Sequence, residues 1–461
     1  AVGFAWWEVK GWRGLKAILP GFLPVMAWEI FSIIYYGFPF PNTYYSKLGA
    51  GIQRSDRFLQ GIIYYLDSIW RDPLTLTLIV SAMMLAFVFR RKRTVALAAG
   101  LGAYLAYVAW VGGDFMSGRF LAIPVFGAVA ILAVLARSVS LRFHWVVAAV
   151  VIAVGLLGTK PPPLSGASFG STSEERLIRK NGICDERAYY YQQTGLLLVR
   201  RNVPMPNHWW AEEGKSARAS HLKLLATGMV GFAGFYAGPD IFVLDPIALA
   251  DPFLARLPAD NTISWRTGHL GREVPEGYQV SMEQDKNLLA DSSLAIFYDK
   301  LCTVTKGPVW SAQRFTEILN FNLGRYGYLI EQYVRRPDTT VRFADMNPPR
   351  KQGTAWNTDG NYMVHHRGLM IQFDGQPSAK RIEISVDNND QYTLYYYFDS
   401  LLLGNQEIES RPIHGGGLRV DTLSVPEDAQ GDGFNAILVR PSGGDSKYSI
   451  GHLRLLDRRD L

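Results

Sequence analysis

Cysteine is scarce in this sequence: Cys184 and Cys302 are the only two among 461 residues. Neither stands in a CxxC or a Cys/His spacing, which removes zinc ribbons and thioredoxin-like redox motifs from consideration. No other residue pattern demands a metal or a cofactor. The two thiols remain candidates for one disulfide where the compartment is oxidising. Internal repeats and low-complexity tracts are absent. The glycine-rich stretch "TGMVGFAGFYAGPD" (227–240) lacks the Lys-Ser/Thr of a phosphate-binding loop, which excludes a nucleotide site of that type. The first residues, "AVGFAWWEVK", contain no initiator methionine and no signal-peptide pattern. On this basis the sequence reads as the later part of a longer chain.

The sequence does carry apolar runs. Five can be placed, at about 16–36, 73–90, 94–111, 120–136 and 143–158, each near the roughly 20 residues that cross a bilayer as a helix. A net charge of +6 and a pI of about 9.1 could suggest nucleic acid. The basic residues cluster beside the apolar runs instead, as in "FRRKR" (89–93), so membrane topology accounts for them and no nucleic-acid partner is expected. With Lys10, Arg13, Lys16, residues 90–93, Arg137 and Arg142 on the cytoplasmic side, five crossings are self-consistent. Residues 37–72, the connection around 112–119 and everything after 159 then lie outside. Arg54, Arg57 and Arg71 run against this charge rule.

Four regions follow. Residues 1–158 read as a transmembrane region of about five helices, with "FLQGIIYYLDSIW" (58–70) as an amphipathic helix in the interface plane. A Pro/Gly/Ser linker occupies 159–175. Mixed helical and strand patterns over 176–335 indicate a small exoplasmic α/β domain. From 336 to 461 the hydrophobic period falls to two, in "LMIQFD", "RIEISVD", "QYTLYYYFD", "NAILVR" and "YSIGHLRLL", the pattern of an antiparallel β-sandwich.

The charged stretch "GGDFMSGRF" (112–120) interrupts two apolar runs. Asp114 and Arg119 read two ways: as a surface ion pair closing a helical hairpin, or as the charged floor of a pocket at membrane level. On the second reading Gly112 and Gly113 let the backbone approach a ligand, Asp114 orients a hydroxyl or a basic partner, and Arg119 faces a phosphate. The loop "FPFPNTYYSKLG" (38–49) offers Asn42, Tyr44 and Lys47 to an anionic, hydroxylated ligand, or anchors an interfacial loop by its aromatics. Asp245 and Asp251, followed by Arg266, His269 and Arg272, could bind sugar or move a proton, although a lone histidine is more often structural. "GICDERAYY" (182–190) is a further polar knot.

The ordered set "PNTYYSK", "GGDFMSGR", "GICDERAYY", "GMVGFAG", "VLDPIALADP" and "RTGHL" resembles a bacterial membrane family over roughly residues 1–335. That family includes mycobacterial cell-wall arabinofuranosyltransferases and proteins described as flagellar motor control proteins. Its members look like GT-C glycosyltransferases. The resemblance implies transfer of a sugar, arabinofuranose being one instance, from a polyprenyl-phosphate donor to a cell-envelope glycan. It implies a multi-pass protein of the bacterial cytoplasmic (inner) membrane with its C-terminal domains on the periplasmic side. Membrane lipid, lipid-linked sugar and glycan acceptor are the implied partners, within a membrane-protein complex or without one. It also implies that Asn42, Tyr44, Lys47, Asp114 and Arg119 face the active-site cavity, with Arg266 and His269 contributed from above. The sequence departs from the family in two respects. The family's extra N-terminal helices and its first-loop acidic residue are not in it, which places the general base upstream of Ala1 and leaves Asp114 as the best acid/base within it. The 336–461 tail is not part of the mycobacterial pattern and looks like a carbohydrate-binding, jelly-roll-type module, or else a docking domain. The rival readings are a non-catalytic membrane scaffold or accessory subunit, and a sugar-binding sensor.

Overall fold

The computed structural model describes residues 12–48, 52, 54–136, 141–157, 181–195, 206–259, 267–346, 354–399, 401–411, 417–431, 433–444 and 448–456. The expected linker at 159–175 lies outside them. The chain divides into two compact units. The first comprises Ala1–Ala259, Arg266–Leu288 and Tyr298–Leu323, and the second comprises Asp260–Trp265, Leu289–Phe297 and Gly324–Leu461.

The first unit begins with helices at each expected apolar run: α1 (Trp12–Tyr36), then α2 (Asn42–Leu48), α3 (Arg54–Arg71), α4 (Pro73–Phe89), α5 (Lys92–Trp110), α6 (Ala122–Ala136) and α7 (Leu141–Leu157). Asp72 separates α3 from α4. Its carboxylate caps α4 through the amides of Leu74 and Thr75, and Pro73 takes the first helical position, where no amide is needed. The two helices bend by 110° at that break. Helix α3 buries Gly61, Tyr64 and Ser68, the i, i+3, i+7 spacing of one face, together with Asp67. That face joins Ile79, Ala82, Leu101, Leu121 and Ile131 from the neighbouring helices in one core. Among the described residues, one helical segment, Arg119–Ala136, is long and apolar enough to cross a membrane. Large apolar side chains stay uncovered along the helices, Phe126 at 78% and Trp145 at 70% exposure among them.

The rest of this unit includes α8 (Glu186–Thr194), α9 (Trp209–Ala219) and α10 (Phe232–Ala237), and a parallel pair of short strands, β1 (Leu224–Ala226) and β2 (Phe242–Leu244), followed by helices at Tyr278–Gln284 and Ala312–Asn322. Gly214 lets α9 and α10 touch: a Cβ there would lie 2.2 Å from the Ala233 carbonyl oxygen.

Among the described residues of the second unit, nine strands form two sheets. One has five strands in the order β3 (Thr339–Arg342), β5 (Leu369–Gln372), β10 (Ala436–Gly443), β7 (Gln391–Phe398), β8 (Leu401–Ile408), and the other has four in the order β4 (Tyr362–Val364), β11 (Tyr448–Leu456), β6 (Arg381–Asp387), β9 (Leu418–Ser424). β3 (Thr339–Arg342) pairs in parallel with β5 (Leu369–Gln372), and the remaining ladders are antiparallel. Alternate residues of β6 (Arg381–Asp387), such as Ile382 and Ile384, join Leu394 and Tyr396 of β7 (Gln391–Phe398) and Ile437 and Val439 of β10 (Ala436–Gly443) in one fully buried core. The "DNND" segment makes the β6–β7 turn. β3, β4 (Tyr362–Val364), β8 (Leu401–Ile408) and β9 (Leu418–Ser424) add to the five strands expected from the sequence.

Candidate functional site

The connection between α5 and α6 does not hang free. The backbone of Met116 forms a parallel bridge with Cys184: the Cys184 amide donates to the Phe115 carbonyl at 2.8 Å, and the Ser117 amide donates to the Cys184 carbonyl at 3.1 Å. Beneath this ladder lies Tyr64, fully buried, whose hydroxyl donates to the Met116 carbonyl and accepts from the Phe120 amide. Gly112 and Gly113 have φ of +89° and +65°, a region that favours glycine. A Cβ on Gly113 would lie 2.5 Å from Cβ of Tyr64, and one on Gly112 would lie 3.1 Å from the Arg57 carbonyl oxygen. The glycine pair therefore admits helix α3, which corrects the expectation that it admits a ligand.

Asp114 is 1% exposed, and its Oδ2 lies 2.6 Å from Nε of Arg119. Burial raises the Asp114 carboxyl above its usual range, opposed by the positive charges of Arg119 and Lys47 and by the Phe115 and Met116 amides. Lys47 is driven the other way, mainly by its own burial, with Asp114 supporting the charged form. Gly268, at φ +78°, leaves room for it: a Cβ there would lie 2.9 Å from Nζ of Lys47. Lys47, Asp114 and Arg119, far apart in sequence, thus form one cluster.

Arg119 also lines a cavity of about 640 Å³. Two further guanidiniums, Arg71 and Arg187, share its wall, as do Leu121, Ala122 and Val125 at the start of α6. Three carboxylates line it as well: Asp72, Asp185 and Glu186. Asp72 is occupied by the α4 cap, and Asp185 accepts from Arg187 at 3.3 Å. Arg71 is held by Asp67 at 3.1 Å, with Ser117 Oγ donating to the same carboxylate at 2.8 Å. The second nitrogen of its fork, Nη2, is buried with no hydrogen-bond partner among the described residues, a state that folded proteins rarely leave unexplained. Asp114 lines neither this cavity nor the one described next; it stands behind Arg119.

His269 goes elsewhere. It packs edge-on against Phe115 at 4.0 Å between ring centroids and lines a second cavity of about 650 Å³ on the other side of the 115–117 ladder. Glu186 lines both cavities. Asn42 is committed to structure, its amide nitrogen donating to the carbonyls of Ala248, Leu249 and Asp251 at 3.0–3.2 Å. Tyr44 stacks on Phe40 at 4.3 Å and is 40% exposed. Arg266 lies outside the described residues.

The acid/base expectation for Asp245 and Asp251 is corrected: both are turn-forming carboxylates. Asp245 accepts from the amides of Ile247, Leu249 and Ala250. Asp251 accepts from Phe253, Leu254 and the Tyr278 hydroxyl, and burial lifts its carboxyl to about 6. Arg272 is likewise buried, donating to the carbonyls of Leu257, Leu270 and Ser46. The candidate disulfide is not formed: Cys184 and Cys302 are separate thiols. Cys184 is pinned in its bridge to Met116, while Cys302 is hydrogen-bonded with Tyr298.

Arg71, Arg187 and Glu186 were missed as site residues, though each carried a signal. Arg71 broke the charge rule for loops, and the other two lie in the polar knot at 182–190.

Comparison with known proteins points to the glycosyltransferases, and the chain resembles GT-C enzymes of that class. It is 28% identical over 458 aligned positions, 82% of this chain, to the terminal beta-(1->2)-arabinofuranosyltransferase of Mycobacterium tuberculosis. The chain spans 65% of the length of that relative. No protein-family model and no solved structure matches.

Proposed function

We propose that this chain transfers a sugar from a polyprenyl-phosphate donor to a cell-envelope glycan at the outer face of the bacterial cytoplasmic membrane. The observation that carries this reading is the composition of the first cavity. Guanidiniums of Arg71, Arg119 and Arg187 share a wall with the apolar start of α6. A phosphate on a long hydrocarbon chain needs both: bidentate donors for its oxygens, and an apolar surface leading into lipid. Arg119, 41% exposed at its side chain and aligned by buried Asp114, faces the phosphate that departs as the acceptor hydroxyl attacks the anomeric carbon. Fixed cationic donors stabilise that leaving charge more in the transition state than in the ground state. Lys47, on the other side, favours the charged form of the Asp114 carboxyl against the effect of its burial.

The uncovered aromatic and aliphatic residues of α1, α6 and α7 support burial of these helices in lipid. We read the two sheets of the second unit as a β-sandwich on the periplasmic side, in the manner of a carbohydrate-binding module. The similarity to an arabinofuranosyltransferase makes arabinofuranose the first donor sugar to test. The full chain is reconstituted in lipid vesicles with a polyprenyl-phosphate arabinofuranose and an arabinofuranosyl oligosaccharide. Elongation of the oligosaccharide by one residue is expected. No elongation with this donor, or with other polyprenyl-phosphate sugars, would leave the scaffold reading in its place.

A further inference from the structure

The second cavity differs in chemistry from the first. Among the described residues no guanidinium or ammonium lines it, and Glu186 is its sole carboxylate. Its walls are aromatic. Tyr190, Trp210 and Phe232 form one ring cluster, with Tyr190 5.9 Å from Trp210 and edge-on to Phe232 at 6.2 Å. Phe115 and His269 form another. Thr194 and Glu186 add a hydroxyl and a carboxylate. The segment at 228–231, Gly-Met-Val-Gly, adds the apolar side chains of Met229 and Val230 to the wall.

We infer that this cavity binds a neutral glycan, and that it is the acceptor subsite of the reaction proposed above, on which this inference rests. Aromatic faces match the C–H faces of sugar rings, and the few polar groups among them fix the hydroxyls. A volume of about 650 Å³ lies within the range of about 300–1,000 Å³ typical of ligand sites. An anionic lipid-phosphate finds none of the guanidiniums of the first cavity here among the described residues. The arginine cavity and the aromatic cavity meet at the 115–117 and 184–186 backbone ladder. Glu186, lining both, is placed to accept a hydrogen bond from the glycan hydroxyl that faces the donor. One helix, Glu186–Thr194, therefore presents Glu186 to both cavities and Tyr190 and Thr194 to the aromatic one.

The test is direct binding without donor. The full chain in lipid nanodiscs is titrated with an arabinofuranosyl tetrasaccharide and with maltotetraose, followed by saturation-transfer NMR. At least one tetrasaccharide should bind, and Met229→Trp, which fills the cavity, and Tyr190→Ala, which removes a wall, should each weaken it tenfold or more. Where Tyr190→Ala does not fold, Met229→Trp decides. Absence of binding by both sugars, or binding that survives the variants, overturns the site. Binding lost in the variants while the unmodified chain transfers no polyprenyl-phosphate sugar leaves the glycan site standing and removes the transferase reading. Transfer that continues at the unmodified rate in Met229→Trp removes the acceptor assignment alone.

Discussion

Nε of Arg119 stands 2.6 Å from Oδ2 of Asp114, with the carboxylate 2% exposed and the guanidinium side chain 41% exposed. The asymmetry divides the labour. The acid is buried against the protein and holds the base, while the base reaches a cavity. A symmetric surface pair would contribute under about 1 kcal/mol and nothing else. Here the pair fixes the direction of a cation that otherwise samples many rotamers. Asp114→Asn is accordingly expected to lower transfer by about tenfold or more through misdirection of Arg119, with stability lowered too, because Lys47 and Arg119 lose their shared anion. Rate and thermal unfolding are measured together. A full rate in Asp114→Asn would assign the pair to structure alone.

Gly113 is expected to tolerate no side chain. Its φ of +65° and the 2.5 Å approach to Tyr64 Cβ mean that Gly113→Ala meets both backbone strain, of order 1–3 kcal/mol, and a collision with a fully buried ring. The unfolding midpoint should fall by several degrees. An unchanged midpoint would show that the connection does not pack on α3.

Asp251 makes stability depend on pH. Its folded carboxyl, lifted by burial to about 6, lies above the ordinary value of 3.8. Between those values the folded protein binds the extra proton, so this group's stabilisation is complete below about 4 and is lost as pH rises through about 6. The loss is about 3 kcal/mol for roughly two pH units. Asp251→Asn should flatten the stability profile between pH 4 and 6. A profile with the same slope in the variant would refute this assignment.

The proposed topology puts the second unit outside the cell membrane. Asp428→Cys, at an exposed position, in a background carrying Cys302→Ser, should react with an impermeant maleimide on intact cells. Reaction only after permeabilisation would invert the topology.

The sequence announced its elements well where a single periodicity governed them. Helices stand at all five apolar runs, and the period-two segments from "LMIQFD" to "YSIGHLRLL" are strands. The four strands it did not announce are short or polar: β8, "LLLGNQEI", shows little alternation because its outer residues face solvent. At the site, Asp114 and Arg119 were legible as charges interrupting two apolar runs, while Lys47 stood in a loop that read equally as an interfacial anchor; the structure gathers the three. Asn42 and Asp251 were not legible, because turn-capping side chains use the same chemistry as binding ones. Which glycine admits a ligand and which admits a neighbouring helix is equally invisible in sequence: Gly112 and Gly113 are explained only by Arg57 and Tyr64. Arg71 and Glu186 depended on a bridge between residues 116 and 184 that no local pattern encodes.

The central claim is that Arg119 and Arg71 act on the leaving phosphate of a lipid-linked sugar. It is tested most directly by the rate of sugar transfer from a polyprenyl-phosphate donor in vesicles holding the unmodified chain, Arg119→Gln or Arg71→Gln, at matched folding. Removal of a cation that stabilises leaving-group charge should lower the rate by roughly 10²-fold in each variant. Rates near that of the unmodified chain in both variants would contradict the account.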